Sequence, residues 1–480
     1  LGACYPRLSW EQPRIYYVDV VDGNDNNNGL TPETAFATIQ AGIDAAYDGE
    51  KVLVWPGVYN EELDFLGKAH FFGYLCVFAR NRSCKLKNAF LLFVALLSVT
   101  VPAQAKYGGG IGTSDEPYLI YTPEQMNAIG TDANDWDKHF KLTANIDLSG
   151  YTGTAYNIIA PNVPDANNIP FTGVFDGNGH IITNFTYNST GALTFDIGLF
   201  GWVDGNDSEI KNLGVIEPNV VMPYGLRAGA LIGMQNSGTV SNCYVEGGSV
   251  SGDYSVGGLI GGNTGTVINC YTTCSVTAEN SRAGGLAGWN DDGGVIINCR
   301  ASGAVTGSQN VGGLVASNFY NATTIANCYA TGSVTGGDKT GGLVGWNHEG
   351  SISNCYCSGT VTGSSYVGGL VGLNAEAPIS NCYSIGSVSG DTKTGGLVGK
   401  NIRGGKVENS FWDVETSGQT TSEGGTDKTT AEMQDPNTFL DAGWDFVGES
   451  ANGTDDFWTI CYLGACYPRL SWEQPRIYYV

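Results

Sequence analysis

Residues 340–366 read TGGLVGWNHEGSISNCYCSGTVTGSSY, and close variants of this string recur along the middle of the chain. The glycine–leucine core appears as AGALIG (228–233), VGGLIG (256–261), AGGLAG (283–288), VGGLVA (311–316), TGGLVG (340–345), VGGLVG (367–372) and TGGLVG (394–399), with leucines 27 to 29 residues apart. Between the cores, Asn-Cys pairs put cysteines at 243, 270, 299, 328, 355 and 382, and a degenerate last copy reads Asn409-Ser410-Phe411. A fixed period of this size is the mark of a solenoid, whose units bury their apolar faces only against their neighbours.

Phase within a coil tells which side chains point inward, because a strand alternates its faces with period two. From Cys355, the inward positions are Cys357, Gly359 and Val361. Tyr356 has the opposite phase and reads as solvent-facing. Ile352 is also inward but out of step with Cys355, so a corner falls between them, at Asn354. Asparagine tolerates left-handed backbone angles, and Asn242, Asn269, Asn298, Asn327, Asn354, Asn381 and Asn409 form one such column. A second column, Asn263, Asn290, Asn318, Asn347, Asn374 and Asn401, follows the leucines. The expectation is an all-β parallel β-helix of ~28-residue coils, three short strands to a coil, with the right-handed sense that parallel crossovers overwhelmingly adopt.

These residues resemble the GLUG motif, named for its Gly-Leu-x-Gly core, over roughly 198–409. Proteins with such repeats look like bacterial surface and secreted proteins, including adhesin-like molecules and some immunoglobulin-cleaving metallopeptidases that keep their chemistry in a separate zinc domain. The resemblance implies an exported architecture and no particular chemistry. His70, His139, His180 and His348 lack metal-ligand spacing, and no His-Glu-x-x-His is present.

The flanks are different in kind. Arg80, Arg82, Lys85 and Lys87 precede the apolar run 89–99 and then Ala103-Gln104-Ala105, the layout of a secretory signal cleaved after Ala105. It stands inside the chain, and residues 463–480 (LGACYPRLSWEQPRIYYV) repeat residues 1–18 without a change. The expected natural order is therefore signal peptide, solenoid, acidic tail, then the segment numbered 1 to about 69. The boundaries that follow are 1–79, the end of a preceding unit with a truncated cap at 17–69; 80–105, the signal-like segment; 106–198, an N-terminal cap and first coils; 199–410, the repeats; 411–462, an acidic region; and 463–480, the duplicate. Thr122-Pro123-Glu124-Gln125 predicts a short capped helix to about Ile129. The stretch VDGNDNNNGLTPETAFATIQAGIDAA followed by KVLVWPGVYNEEL resembles the opening of pectin-lyase-like right-handed β-helix proteins, which implies a helix from Pro32 to Ala46 and a strand from Lys51 to Trp55.

With 47 acidic against 23 basic residues the net charge is -24, which excludes nucleic acid as a partner. Phe411 to Ile460 holds eleven carboxylates and one lysine, the composition of a solvated surface. The cysteine column reads as reduced, buried thiols, because in-register side chains point in parallel; Cys461 and Cys466 are the better disulfide candidates. No catalytic cluster, cofactor site or membrane span of a mature chain is legible. Asp22, Asn24, Asn26 and Asn28 have the alternate oxygen spacing of a calcium loop and equally of a polar turn. Tyr244, Tyr271, Tyr329, Tyr356 and Tyr383, with Trp289 and Trp346 on another outward phase, are the candidate surface for an extracellular glycan or a surface protein. The function expected is that of an exported, non-enzymatic module for cell-surface adhesion, binding or scaffolding. The alternatives are a carbohydrate-active β-helix enzyme of lyase or hydrolase type, and a structural component of the envelope or of a fibre.

Overall fold

The computed structural model describes residues 15–19, 21–46, 51–54, 71–73, 106–163, 167–189, 194–320, 322–460 and 466–473. They fall into two compact units, one within Leu1–Val101 and one within Pro102–Val480. The signal-like segment 80–105 and Cys461 lie outside the described residues.

The larger unit is a parallel β-solenoid. Each coil contributes one rung to every longitudinal wall, as in Thr239–Ser241, Tyr244–Glu246, Ser249–Gly252, Ser255–Gly257 and Ile260–Asn263. Most coils thus have five short strands where three were expected. In the last two, the third and fourth strands fuse into the eight-residue Val361–Gly368 and Val388–Gly395. The walls belong to sheets of 11, 11, 14 and 8 strands, the 14-stranded sheet holding both the third and the fourth strands of the coils, joined where they fuse. At ~4.8 Å per rung, the 11-stranded walls extend about 50 Å.

Register is strict. Val240, Val267, Ile296, Ile325, Ile352 and Ile379 pair in succession, all at most 1% exposed. Cys357, Gly359 and Val361 point inward as their phase requires. Each corner asparagine of the first column, from Asn242 to Asn409, holds φ between 47° and 55°, so the corner exists because asparagine accepts the left-handed region. Side-chain bonds link Asn298 to Asn269, Asn269 to Asn242 and Asn242 to Asn212, at 3.1 to 3.3 Å. At the Gly-Gly-Leu corner a Cβ on Gly342 would sit 2.1 Å from the carbonyl oxygen of Gly369, so only glycine lets the coils close to stacking distance.

The second asparagine column runs through the interior. Asn263, Asn290, Asn318, Asn347 and Asn374 each donate Nδ2–H to Oδ1 of the next asparagine, ending on Asn401, at 2.7 to 3.0 Å. Asn263, Asn290, Asn374 and Asn401 spend their other N–H on a carbonyl of their own loop. A buried polar amide is thereby tolerated in every coil, because each finds its partners in a neighbour identical to itself.

At the N-terminal end, Pro123–Ile129 forms the expected helix, with Thr122 and Gln125 closing a capping box, and it buries Met126 and Ile129 against the core. This covers a strand edge that would otherwise pair with another chain. In the smaller unit, Ile15–Val18, Lys51–Val54 and Phe71–Gly73 make a parallel three-stranded sheet. The helix expected from Pro32 to Ala46 is interrupted. A 3-10 turn at Pro32–Thr34 and an α-helix at Ile39–Ala45 are separated by Phe36, whose backbone bonds Tyr17 and Asp19.

Cys243, Cys270, Cys274, Cys299, Cys328, Cys355, Cys357 and Cys382 are free and buried. Desolvation pushes the Cys274 and Cys357 thiols up to about 12 and those of Cys328 and Cys355 well above the usual range. All eight are buried, so iodoacetamide should label none of them in the native protein and all eight in guanidinium. Native labelling of the column, read by peptide mapping, would show that the core is not sealed.

Candidate functional site

Tyr244, Tyr271, Tyr329, Tyr356 and Tyr383 occupy one register position on the second wall, with Arg300 between Tyr271 and Tyr329 and Phe411 after Tyr383. Strand spacing forces the rings into a stack. Centroids lie 5.0 Å apart at 4° for Tyr244–Tyr271, 4.9 Å at 7° for Tyr329–Tyr356 and 5.0 Å at 5° for Tyr356–Tyr383. The Arg300 guanidinium sits 4.1 Å from the Tyr271 centroid, where the ring face attracts it.

The column divides into two halves. Tyr244 and Tyr271 remain partly open to solvent, and burial with a 2.6 Å hydrogen bond from Tyr271 Oη to Glu246 raises the Tyr271 phenol above its ordinary range. Tyr356 and Tyr383 are only 6% and 1% exposed, which corrects the expectation of a solvent-facing column along its whole length. The acidic region 411–460 is also not merely a solvated surface: Met433, Phe439, Trp444, Phe446 and Trp458 form a hydrophobic cluster over Tyr356, Tyr383 and Phe411. Its carboxylates cap helices and turns, as the buried Asp413 does for Val414–Ser417 and Asp435 for Pro436–Leu440.

Residues 466–473, within the duplicated segment, complete the cover. Trp472 stacks on Tyr329 at 5.6 Å and donates Nε1–H to the Asn327 carbonyl at 3.1 Å. Tyr383 donates to the Pro468 carbonyl, and Tyr356 donates to Glu473 at 3.0 Å. Burial raises the Glu473 carboxyl, against the lowering pull of its bonds and of Arg469 and Arg300. Cys466 is disulfide-bonded. Between this strap and the ladder lies a cleft of about 680 Å³, lined by Arg300, Tyr329, Tyr356, Arg469 and Glu473 among others. Sequence reasoning missed Arg469, Trp472 and Glu473, because an exact duplicate of residues 1–18 carries no mark of where it docks.

Trp289 and Trp346 stand on the 8-stranded sheet, apart from the tyrosines. They share a register position with Gly262 and Ser317. A Cβ on Gly262 would meet the Trp289 ring at 2.6 Å, so that glycine makes room for the indole. In the smaller unit, Asn24 and Asn28 accept hydrogen bonds from the backbone N–H of Asn26 and Leu30, and Asp22 is exposed. Among the described residues no group of three or more His, Cys, Asp or Glu is arranged to hold a metal ion, and no helix is long and apolar enough to cross a membrane.

The chain carries the GLUG motif in four successive copies, at 279–306, 307–335, 337–362 and 363–389. It is similar to halomucin of Haloquadratum walsbyi, 35% identical over 160 residues, which is 32% of this chain and 2% of that protein. It is also similar to a protein of Evansella cellulosilytica named as a candidate Gly-rich membrane protein, 34% identical over 158 residues, 33% of this chain and 18% of that one. The matched stretch therefore spans a small part of either relative. A solved structure of a candidate immunoglobulin A1 protease from Bacteroides ovatus aligns over 77% of this chain and 96% of that one, at 18% identity and a TM-score of 0.40.

Proposed function

We propose that this GLUG-repeat solenoid is an exported, non-catalytic structural module displayed at the cell surface, a stiff rod that spaces or presents other parts of the molecule and offers binding faces along its length. The observation that carries the reading is the unbroken side-chain ladder from Asn263 to Asn401, which ties six coils together from within. Such a spine gives stiffness independent of any ligand. The names of the two similar proteins support a surface setting. The adhesion role rests on the open rungs Tyr244 and Tyr271 and on the cleft beside Arg300. The upper tyrosines are already occupied by the chain's own strap.

Antibody raised against the chain should label intact producing cells, and external protease should remove the label. Labelling only after permeabilisation would overturn surface display. Soluble sugars released from polysaccharides incubated with the chain would overturn the non-catalytic reading in favour of the carbohydrate-active alternative.

A further inference from the structure

One edge of the rod, away from the tyrosine ladder, carries a basic residue on alternate coils of a chain whose net charge is -24. The strand pairings put Arg227, Ser255, Arg282, Asn310, Lys339, Tyr366 and Lys393 at a single register position on successive coils. A cation therefore recurs at every second coil, about 10 Å apart by strand spacing. The adjoining wall sets aromatic rings beside Arg282 and Lys339, and Tyr366 stands in the column itself. Arg282 lies 5.4 Å over Phe319, Phe319 meets Trp346 edge-on at 4.7 Å, Lys339 lies 5.4 Å over Trp346, and Lys393 lies 4.1 Å over Tyr366. Trp289, Tyr254, Arg227 and Arg282 line a cleft of about 230 Å³, together with the carboxylate-bearing Asp291.

Arg227 is paired with Asp196, and Lys339 with Asp338. Arg282 has no ion pair among the described residues and its Nε is buried without an acceptor, with Asp291 lining the same cleft, while Lys393 is exposed and donates to the Tyr366 hydroxyl at 2.7 Å. A part-buried guanidinium with an unsatisfied N–H gains from an added anionic acceptor. Lys339, Tyr366 and Lys393 hold φ of 59°, 53° and 53°, where Asn310 occupies the same position with the side chain best suited to it. The chain keeps long side chains at this edge against local backbone preference.

We propose that this edge binds an extended anionic polysaccharide lengthwise, its carboxylate or sulfate groups meeting Arg227, Arg282, Lys339 and Lys393 in turn and a sugar ring packing on Trp289. Alternation of cations along a straight rod suits a polymer with a regular charge repeat, and flat aromatic faces distinguish sugar rings from a simple polyanion. The inference goes beyond the scaffold reading and does not depend on where the protein is displayed.

The test is binding of the full chain to immobilised polygalacturonate, dextran sulfate, unmodified dextran and poly-L-glutamate, at low and high salt. Binding to polygalacturonate or dextran sulfate, weakened by salt and absent for dextran, is expected; whichever of the two binds names the acid group. Lys339→Asn with Lys393→Asn should weaken binding roughly tenfold, about 1.4 kcal/mol, and leave the melting temperature unchanged or raised, since asparagine suits the left-handed corner. Trp289→Ala should weaken polysaccharide binding at least about threefold. Wild-type affinity in the double lysine variant, equal binding of dextran, or poly-L-glutamate binding as tight as polysaccharide and indifferent to Trp289→Ala, would each overturn the proposal.

Discussion

Replacing Asn290 with alanine should destabilise the solenoid by roughly 3–5 kcal/mol, although it removes no apolar contact. The cost lies in the groups left behind. Asn263 loses the acceptor for its Nδ2–H, Asn318 loses the donor to its Oδ1, and the Gly294 carbonyl loses the other N–H of Asn290. All sit where water does not reach easily, and each buried group left unsatisfied costs about 1–3 kcal/mol. Solenoid coils stabilise one another through nearest-neighbour contacts, so the break should also split the guanidinium transition into two steps. Asn354→Gly is the control. That asparagine is there for its backbone, with φ of 50°, and glycine adopts the same conformation, so its change should stay within about 1 kcal/mol. If Asn290→Ala unfolds with a loss below about 1 kcal/mol, the ladder is not the spine assigned to it.

The second large effect is expected at the cap. Trp444 is fully buried, with ring contacts at 4.5 Å to Trp458 and 4.8 Å to Phe439 and a 2.8 Å bond from Nε1 to the Asn409 carbonyl. Trp444→Ala should cost roughly 3–5 kcal/mol, the range for emptying an aromatic site in a core. The loss should stay local, because the cap packs on the last rungs while the lower coils pack on each other. Limited proteolysis should therefore cut between 411 and 473 and leave the repeats intact, and Tyr356 and Tyr383 should become solvent-accessible. Cleavage spread evenly through the repeats would show that the cap and coils fold as one unit. An unchanged digestion pattern would show that the cap is not anchored at Trp444.

Much of this protein could be read from one coil. A 27- to 29-residue period, glycines where backbones touch and asparagines at a fixed offset leave few folds open, because every element packs on a copy of itself. Inward and outward positions followed from period-two alternation, and the free, buried thiols followed from that phase. The number of strands per coil did not follow. Val305–Gly307 and Gln309–Gly312 are separate strands, whereas the equivalent stretch Val361–Gly368 runs unbroken, so the repeating pattern does not set the strand count.

What the sequence by itself determined is whatever repeats: fold, register, core and the two asparagine columns, since these depend on neighbours whose identity is known in advance. What only the tertiary structure decided is whatever touches the repeats from outside. Tyr356 and Tyr271 have the same phase in their coils, yet one is buried beneath the C-terminal cap and strap while the other stays partly open. The hydrogen bond from Tyr356 to Glu473 spans 117 positions. No local pattern encodes such a contact, because it depends on where a non-repeating segment comes to rest. The cation and aromatic edge has the same origin: its members are a coil apart in sequence, and register alone brings them into line.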